Sequence, residues 1–308
     1  AAVHRDRLDA LAATGPLSLN PGDAAGDYAV GDWVLTDGVR ALTTLDRQTL
    51  LARRAAGTGA RRQLIAANVD TLFITTSCNA DFNPARLERY LALAAEAGCF
   101  PVVVLTKADL AEDARDWERR AEALQPMLTA MAIDARDPGD VAGLLDWCGL
   151  GQTAALLGSS GVGKTTLLNA MTGAAEATAR IREDDAKGRH TTTARALRRM
   201  VNGGWIIDTP GMRALRLTDA ADGIEALFSD IGALAVGCRF SDCGHDGEPG
   251  CAVQAAIADG TLDAGRLKRW RKLKAEEARN TETLAEARAR DKSFGKMVRA
   301  AMNEKKGR

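Results

Sequence analysis

Short apolar runs alternate with longer amphipathic stretches through the middle of the chain. The apolar runs have the length and composition of buried strands, and they fall at residues 71–75, 101–105, 129–133, 153–157 and 205–208. Between them the spacing predicts helices at residues 84–97, 116–127, 141–147 and 164–171. Pro84 stands in the first turn of the earliest helix and Gly98 follows its end, as helix boundaries favour. Strand alternating with helix predicts a parallel sheet with helices on both faces.

The pattern differs on either side of this α/β region. Short strand-like runs between residues 28 and 54 are separated by glycine-containing turns, which predicts a small β-barrel or sandwich. Residues 1–27 are rich in Gly, Ala and Asp, so we expect them to be loosely ordered and the barrel to be irregular or trimmed there. After about residue 217 the pattern turns helical. We therefore predict three domains, residues 1–66, 67–217 and 218–308.

A glycine-rich segment between a predicted strand and a predicted helix matches the phosphate-loop pattern G-x-x-x-x-G-K-[ST]. Its glycines let backbone N–H groups turn around phosphates, while Lys164 reaches the β- and γ-phosphates and the Thr165 hydroxyl binds Mg²⁺. The N-terminus of the following helix adds partial positive charge. The predicted nucleotide-binding residues of this loop are Gly158, Ser159, Ser160, Gly161, Val162, Gly163, Lys164, Thr165 and Thr166.

Two further segments have the character of GTPase switches. An apolar strand ends in Asp208 and begins a D-x-x-G pattern, so the carboxylate is expected near the metal and the Gly211 N–H near a γ-phosphate. Residues 187–193 lie between this pattern and the phosphate loop. We take Thr192 as the residue that completes the Mg²⁺ shell, with the threonines on either side of it as alternatives.

The catalytic group is less directly indicated. Many GTPases place a water-orienting Gln after the D-x-x-G glycine, but Met212 occupies that position here. His190 is the nearest imidazole in sequence and is our candidate for orienting the attacking water. A packing or partner-contacting role for His190 is the alternative.

The base-reading residues come from the strand at residues 102–105 and the segment Thr106-Lys107-Ala108-Asp109 that follows it. A carboxylate at this place accepts hydrogen bonds from guanine N1–H and the exocyclic amino group, and adenine offers no such pair of donors. Lys107 can lie over the base and the phosphate loop. The alternative for Asp109 is a helix cap.

The order of these motifs is unusual. The base reader precedes the phosphate loop by about fifty residues, whereas in ordinary GTPases it follows, so we predict a circular permutation. GTPases usually add a Ser-Ala-Lys-like base contact, for which Asp134-Ala135-Arg136 is only a poor match.

A cluster of metal-ligating residues lies in the C-terminal third, at Cys238, Cys243, His245 and Cys251. Three thiolates and one imidazole form a closed set for one structural Zn²⁺, and the surrounding glycines allow the loop to wrap a metal. A redox pair among these cysteines is the alternative. The other three cysteines stand in apolar surroundings typical of buried thiols.

Composition adds a location and a charge asymmetry. No run of 18 apolar residues occurs and the first 15 residues mix charged with apolar positions, so we expect no membrane span, no signal peptide and a cytoplasmic protein. The net charge is zero, yet residues 266–308 carry 15 Lys/Arg against 6 Asp/Glu, a net of +9. A basic tail is a candidate nucleic-acid contact, and a solvated helix face is an equal alternative.

These motifs resemble the ribosome small-subunit-dependent GTPase A family over about residues 28–275. The resemblance is carried by residues 65–70, 81–83, 86–91, 106–110, 158–166, 188–193, 208–211 and 238–253. It implies an OB-fold barrel, a permuted GTPase domain and a zinc-bearing helical domain. It also implies docking on the 30S subunit late in its maturation, with GTP hydrolysis stimulated there.

We therefore predict a monomeric GTP hydrolase that uses GTP/GDP, Mg²⁺ and one structural Zn²⁺ and binds the 30S subunit and its rRNA. A slow, nucleotide-gated ribosome-binding module acting by occupancy is the alternative, because Met212 replaces the usual Gln. An ATP-dependent kinase or ATPase is disfavoured by residues 106–109.

Overall fold

The computed structural model describes residues 1–54, 62–174, 196–208 and 220–281, and within these ranges the chain forms thirteen strands and eight α-helices. The strands are β1 (Ala2–Val3), β2 (Leu8–Ala12), β3 (Gly15–Leu19), β4 (Val34–Thr36), β5 (Ala41–Thr44), β6 (Leu50–Arg54), β7 (Arg62–Ala67), β8 (Thr71–Ser77), β9 (Phe100–Thr106), β10 (Thr129–Ala132), β11 (Thr153–Gly158), β12 (Ala196–Arg199) and β13 (Trp205–Asp208). The helices are α1 (Pro84–Ala97), α2 (Ala114–Glu122), α3 (Pro138–Leu145), α4 (Lys164–Thr172), α5 (Ala221–Leu227), α6 (Ser229–Ala235), α7 (Ala252–Ala258) and α8 (Ala264–Thr281).

One nine-stranded sheet organises the chain, in the order β10-β9-β8-β11-β13-β12-β1-β2-β3. The first five strands are parallel, as predicted, and the others join by antiparallel pairing. Strand β8 lies between β9 and β11, and all seven of its residues are buried. Helices cover both faces, with α1 and α5–α8 contributing to one core and α3 and α4 to the other. The predicted α/β architecture is therefore confirmed.

Helix boundaries follow local capping. The Asn83 side chain accepts a hydrogen bond from the Arg86 N–H at 3.1 Å and Gly98 closes α1 at φ +75°, so the predicted helix 84–97 is confirmed. Helix α2 instead ends at Glu122, five residues earlier than expected. The segment after it turns back towards β10, and Met127 has φ +60°, a left-handed conformation that no α-helix includes.

The first 27 residues are not loosely ordered, and that expectation is wrong. Strands β1, β2 and β3 extend the main sheet, with Leu8 opposite Leu19 in adjacent strands. Gly15, at φ +120°, makes the turn between β2 and β3 possible. Leu8 and Leu19 form a small core with Tyr28 and Ala41, while β4–β5 and β6–β7 form separate two-stranded sheets beside it. The high Gly and Ala content concealed this short alternating pattern.

The C-terminal helices pack closely on α1. At Gly223 in α5, an added Cβ would lie 2.2 Å from the Ala92 carbonyl oxygen of α1, so only glycine permits this approach. On α8, Leu267 and Leu273 are buried and Trp270 is half-buried, so this face of the helix packs into the core.

A buried ion-pair group reinforces this junction. Glu88 of α1 is fully buried and accepts hydrogen bonds from Arg269 at 2.7 Å and Arg266 at 3.5 Å. Arg266 also pairs with Asp230 and donates to the Leu124 carbonyl at the end of α2 at 2.8 Å. Burial raises the pKa of Glu88, although its hydrogen bond with Arg269 acts in the opposite direction. Charged groups from three helices, α1, α6 and α8, are thus satisfied by one another.

Candidate nucleotide site and metal cluster

The carboxyl ends of the parallel strands bring together motifs that are distant in sequence. Strand β9 ends at Thr106, β11 at Gly158 and β13 at Asp208. Register places Thr106 opposite Ser77, Gly158 opposite Thr75, and Asp208 opposite Leu156, so all three ends lie along one edge of the sheet. Ligands of open α/β sheets bind at this edge.

Residues 158–165 form the turn between β11 and α4. An added Cβ at Gly158 would lie 2.2 Å from the Thr75 carbonyl oxygen, and Gly163 has φ +94°, so both positions require glycine. The Lys164 ammonium folds back over the loop and donates to the carbonyl oxygens of Gly158, at 2.8 Å, and Ser159. The loop therefore has the backbone shape that a phosphate group requires, with its lysine at the centre.

The base-reading segment touches the phosphate loop directly. The Thr106 hydroxyl lies 2.5 Å from the Val162 carbonyl oxygen, and the Lys107 ammonium donates to the Gly161 carbonyl at 3.0 Å. Lys107 itself has φ +61°, a left-handed conformation uncommon outside glycine. These contacts join two motifs about 55 positions apart in sequence, as the predicted permutation requires.

Asp109 meets a residue that the sequence did not place in the site. The Arg136 guanidinium donates to the Asp109 carboxylate at 2.5 Å, and the Ala108 N–H donates to the Ile133 carbonyl at 3.1 Å. The loop after β10 therefore lies beside the base reader, although its sequence matched the usual GTPase loop poorly. Its position directly after β10, the third parallel strand along the chain, was the available signal.

Only some of the remaining predicted nucleotide-binding residues lie within the described ranges of the chain. Asp208 ends β13 beside the strand that leads into the phosphate loop. Thr165 and Thr166 stand in the first turn of α4. His190, Thr192 and Gly211 lie outside the described residues.

The four predicted metal ligands converge. The ligand atoms of Cys238, Cys243, His245 and Cys251 all lie within 4.8 Å of one another. His245 Nδ1 is 3.6 Å from the Cys238 sulfur and 3.5 Å from the Cys251 sulfur, which are themselves 3.9 Å apart. Tetrahedral zinc with bonds of about 2.0–2.3 Å separates its ligands by roughly 3.4–3.8 Å. The donor set and its spacing fit one structural zinc ion.

The basic residues of α8 fall into two groups. Arg269 pairs with Glu88 and Arg271 with Asp246, so these two cations are used inside the molecule. Lys268, Lys272 and Lys274 are exposed. Of the five cations between Lys268 and Lys274, these three lysines face solvent. No helix among the described residues has both the length and the apolar character to cross a membrane.

Comparison with known proteins identifies similar chains over nearly the whole length. A family model described as RsgA GTPase matches residues 44–218. The chain is 56% identical over 289 residues to the small ribosomal subunit biogenesis GTPase RsgA of Mesorhizobium japonicum, covering 91% of this chain and 83% of that protein. It is 47% identical over 309 aligned positions to the small ribosomal subunit biogenesis GTPase RsgA 2 of Vibrio parahaemolyticus, covering 100% of this chain and 86% of that protein.

Solved structures show the same fold. The crystal structure of YjeQ from Thermotoga maritima superposes with a TM-score of 0.62 at 23% identity, covering 88% of this chain and 96% of that one. The structure of YloQ, described as a circularly permuted GTPase, superposes with a TM-score of 0.59 at 23% identity, covering 90% and 92%. The predicted permuted GTPase fold is therefore confirmed.

Proposed function

The chain belongs to the RsgA GTPase family and is a GTP-hydrolysing enzyme, and from this premise we propose that it acts on the small ribosomal subunit during its biogenesis. The observation that carries the proposal is the contact between the phosphate loop and the base-reading segment, in a chain whose relatives are named for small-subunit biogenesis. More specifically, we propose that the protein is a cytoplasmic monomer that binds the 30S subunit and its rRNA and assists late maturation.

Each nucleotide-site residue has a proposed role. The backbone N–H groups of the phosphate loop and the Lys164 ammonium bind the β- and γ-phosphates, and Asp109 binds the guanine edge. When bound, Mg²⁺ would supply positive charge beside the phosphates. Thr165, Asp208 and Thr192 are the residues that would hold it, Thr192 when the γ-phosphate is present.

The proposed hydrolytic step is an in-line attack of water on the γ-phosphate. The Gly211 N–H orients that phosphate, and His190 orients the water, since Met212 has no polar group for this task. This assignment leaves the isolated chain a slow enzyme, which the ribosomal subunit stimulates by fixing the catalytic residues.

The exposed cations of α8 are proposed to contact rRNA phosphates. Lys268, Lys272 and Lys274 face solvent on the helix that leads into residues 282–308, the remainder of the basic tail. Contacts of this kind position a protein on RNA, and salt screens them. We also propose that one structural zinc ion stabilises the C-terminal region that carries this surface.

The test is GTP hydrolysis by the purified chain with 30S, 50S or 70S particles. We expect 30S subunits to raise turnover at least tenfold and 50S subunits to leave it unchanged. Equal rates with all three particles, or no stimulation by any, would contradict the proposed ribosomal role.

The second candidate is a nucleotide-gated binding module that acts by occupancy, which Met212 favours. Single-turnover hydrolysis separates the two. If 30S binding requires GTP while hydrolysis stays equally slow with and without the subunit, occupancy is the function.

A further inference from the structure

The carboxylate proposed to read guanine is already engaged by another side chain. Arg136 donates through Nη2 to Asp109 Oδ2 at 2.5 Å. The same guanidinium donates to Asp134 through Nε at 2.9 Å and through Nη2 at 3.1 Å. Arg136 therefore bridges two carboxylates, one of which is the proposed base reader.

Guanine and Arg136 compete for the same atoms. Two parallel hydrogen bonds from guanine N1–H and its amino group need both Asp109 oxygens in the carboxylate plane. A carboxylate has about four lone-pair sites, and the guanidinium nitrogen 2.5 Å from Oδ2 uses one of them. The base and the arginine therefore compete for acceptor sites and for room beside Oδ2.

Arg136 has a second partner to which it can withdraw. Its bonds to Asp134 involve both the side chain and the Arg136 backbone N–H, which lies 2.9 Å from Asp134 Oδ1. Asp134 is itself held in place, because its N–H donates to Asp140 at 2.8 Å. Releasing Asp109 thus leaves Arg136 paired.

We propose that Arg136 is a specificity-determining residue that occupies the base-reading carboxylate when guanine is absent and retreats to Asp134 when guanine binds. The inference rests on the proposed role of Asp109. A nucleotide must then displace the guanidinium from Asp109. Guanine can do so because it offers the carboxylate two hydrogen-bond donors, whereas adenine offers no such pair. Only chains in which Arg136 has left Asp109 are ready to bind guanine. The apparent affinity for guanine nucleotides is therefore the intrinsic affinity multiplied by the fraction of such chains.

The size of the effect follows from exposure. The Arg136 side chain is 67% exposed, and exposed ion pairs are weak because water and salt screen them. Arg136→Ala should therefore tighten GDP binding about two- to fivefold. Binding of inorganic pyrophosphate, which fits the phosphate loop and not the base reader, should not change.

The experiment measures displacement of a fluorescent GDP analogue by GDP and by pyrophosphate in the full chain. Arg136→Gln is a second variant without charge, and Arg136→Lys should restore part of the wild-type affinity. Arg115→Ala is the matched control, because the Arg115 side chain is exposed and its ion-pair partner is Glu118 of α2 rather than Asp109. The gain from Arg136→Ala should shrink as salt is raised. Unchanged or weaker GDP binding in both neutral variants would overturn the proposal, weaker binding making Arg136 a direct base contact.

A parallel variant separates this inference from the function on which it rests. Asp109→Asn should shift preference from guanine to xanthine nucleotides if Asp109 reads the base. In that background, Arg136→Ala should leave xanthosine diphosphate affinity unchanged, because the ion pair is gone. If Asp109→Asn shows no shift, the base-reader assignment fails. If the shift occurs and Arg136→Ala has no effect on the wild-type background, only the competition fails.

Discussion

Arg136 and Arg266 each join two carboxylates, and their surroundings are opposite. Arg136 at the nucleotide site is 67% exposed, whereas Arg266 at the C-terminal junction is 10% exposed and its partner Glu88 is fully buried. Arg266 also donates to two backbone carbonyls and lies 4.7 Å over the Phe228 ring. The pairing chemistry is the same. Burial decides whether a pair can be exchanged for a ligand or is permanent.

The other contacts of the two regions follow the same division. At the nucleotide site, Lys164 and Lys107 donate to loop carbonyls that phosphate oxygens can replace as partners. At the junction, the Glu88 carboxylate is fully buried and Asp230 is half-buried. Removing Arg266 leaves Glu88 with Arg269 as its remaining cation, in a place that water reaches poorly. Any nucleotide-dependent movement of the C-terminal helices relative to α1 must break the bonds of Arg266.

The largest expected effect tests the metal support of the C-terminal region. Cys243→Ala should abolish the single zinc ion and unfold the loop and helices around it, because binding free energy at structural zinc sites is on the order of 10 kcal/mol and is folding free energy. Metal analysis and protease sensitivity of the C-terminal region measure this. Cys148→Ala, which removes a buried thiol outside the cluster, should retain the zinc. Full zinc content in Cys243→Ala would remove that residue from the ligand set.

Replacing the buried arginine comes next. Arg266→Met leaves Glu88 and Asp230 without their common cation and should lower the free energy of unfolding by about 3–5 kcal/mol. Denaturant unfolding followed by circular dichroism measures the loss. The control is Arg119→Ala, which removes exposed pairs with Asp113 and Asp116 and should cost less than about 1 kcal/mol. Equal losses of unfolding free energy in Arg266→Met and Arg119→Ala would contradict the claim that burial makes the Arg266 pairs more important for stability.

A substitution at the nucleotide site should change ligand affinity strongly and the free energy of unfolding only slightly. Lys164→Ala removes charged hydrogen bonds to two phosphates and should weaken GTP binding by about 100-fold or more. The free energy of unfolding without nucleotide should change by less than about 1 kcal/mol, because Lys164 is half-buried and donates to loop carbonyl oxygens that water can reach when the side chain is removed. Titration calorimetry and denaturant unfolding give the two numbers. A large stability loss with intact GTP affinity would assign Lys164 a structural role instead.

The smallest expected effect concerns pH. Hydrogen bonds from Arg136 lower the pKa of Asp134, so this carboxylate stays charged to a lower pH than an isolated aspartate does. The pair's contribution is therefore present at neutral pH and is lost only as pH falls through the lowered pKa. The ratio of GDP affinities between Arg136→Ala and the unaltered chain should be constant from pH 8 to pH 6. A ratio that changes across this range would mean that another titrating group controls the pair.

Sequence reasoning succeeded where the signal was local. Pro84 and Gly98 bound their helix, the glycine-rich motif forms a turn between a strand and a helix, and the four predicted metal ligands converge from a short segment. Each of these depends on residues close in the chain, whose spacing alone fixes the geometry.

Contacts between residues distant in the chain could not be predicted from the sequence. Glu88 and Arg266 are 178 positions apart, and Arg136 meets Asp109 across a 27-residue interval. Nothing in the periodicity of either partner indicates the other, because the pairing is set by how α8 packs on α1 and how the β10 loop turns. The early strands were missed for a different reason, since small residues dilute the alternation that signals a sheet.

The position of β8 has a consequence for how the chain is made. Synthesis proceeds from the N-terminus, so β8 and β9 leave the ribosome well before β11, which covers the other edge of β8 in the finished sheet. Until residue 153 has been added, a strand of seven buried residues has an open edge whose N–H and C=O groups can pair with another chain. Moving the base reader ahead of the phosphate loop thus lengthens the interval during which the nascent chain is prone to aggregate.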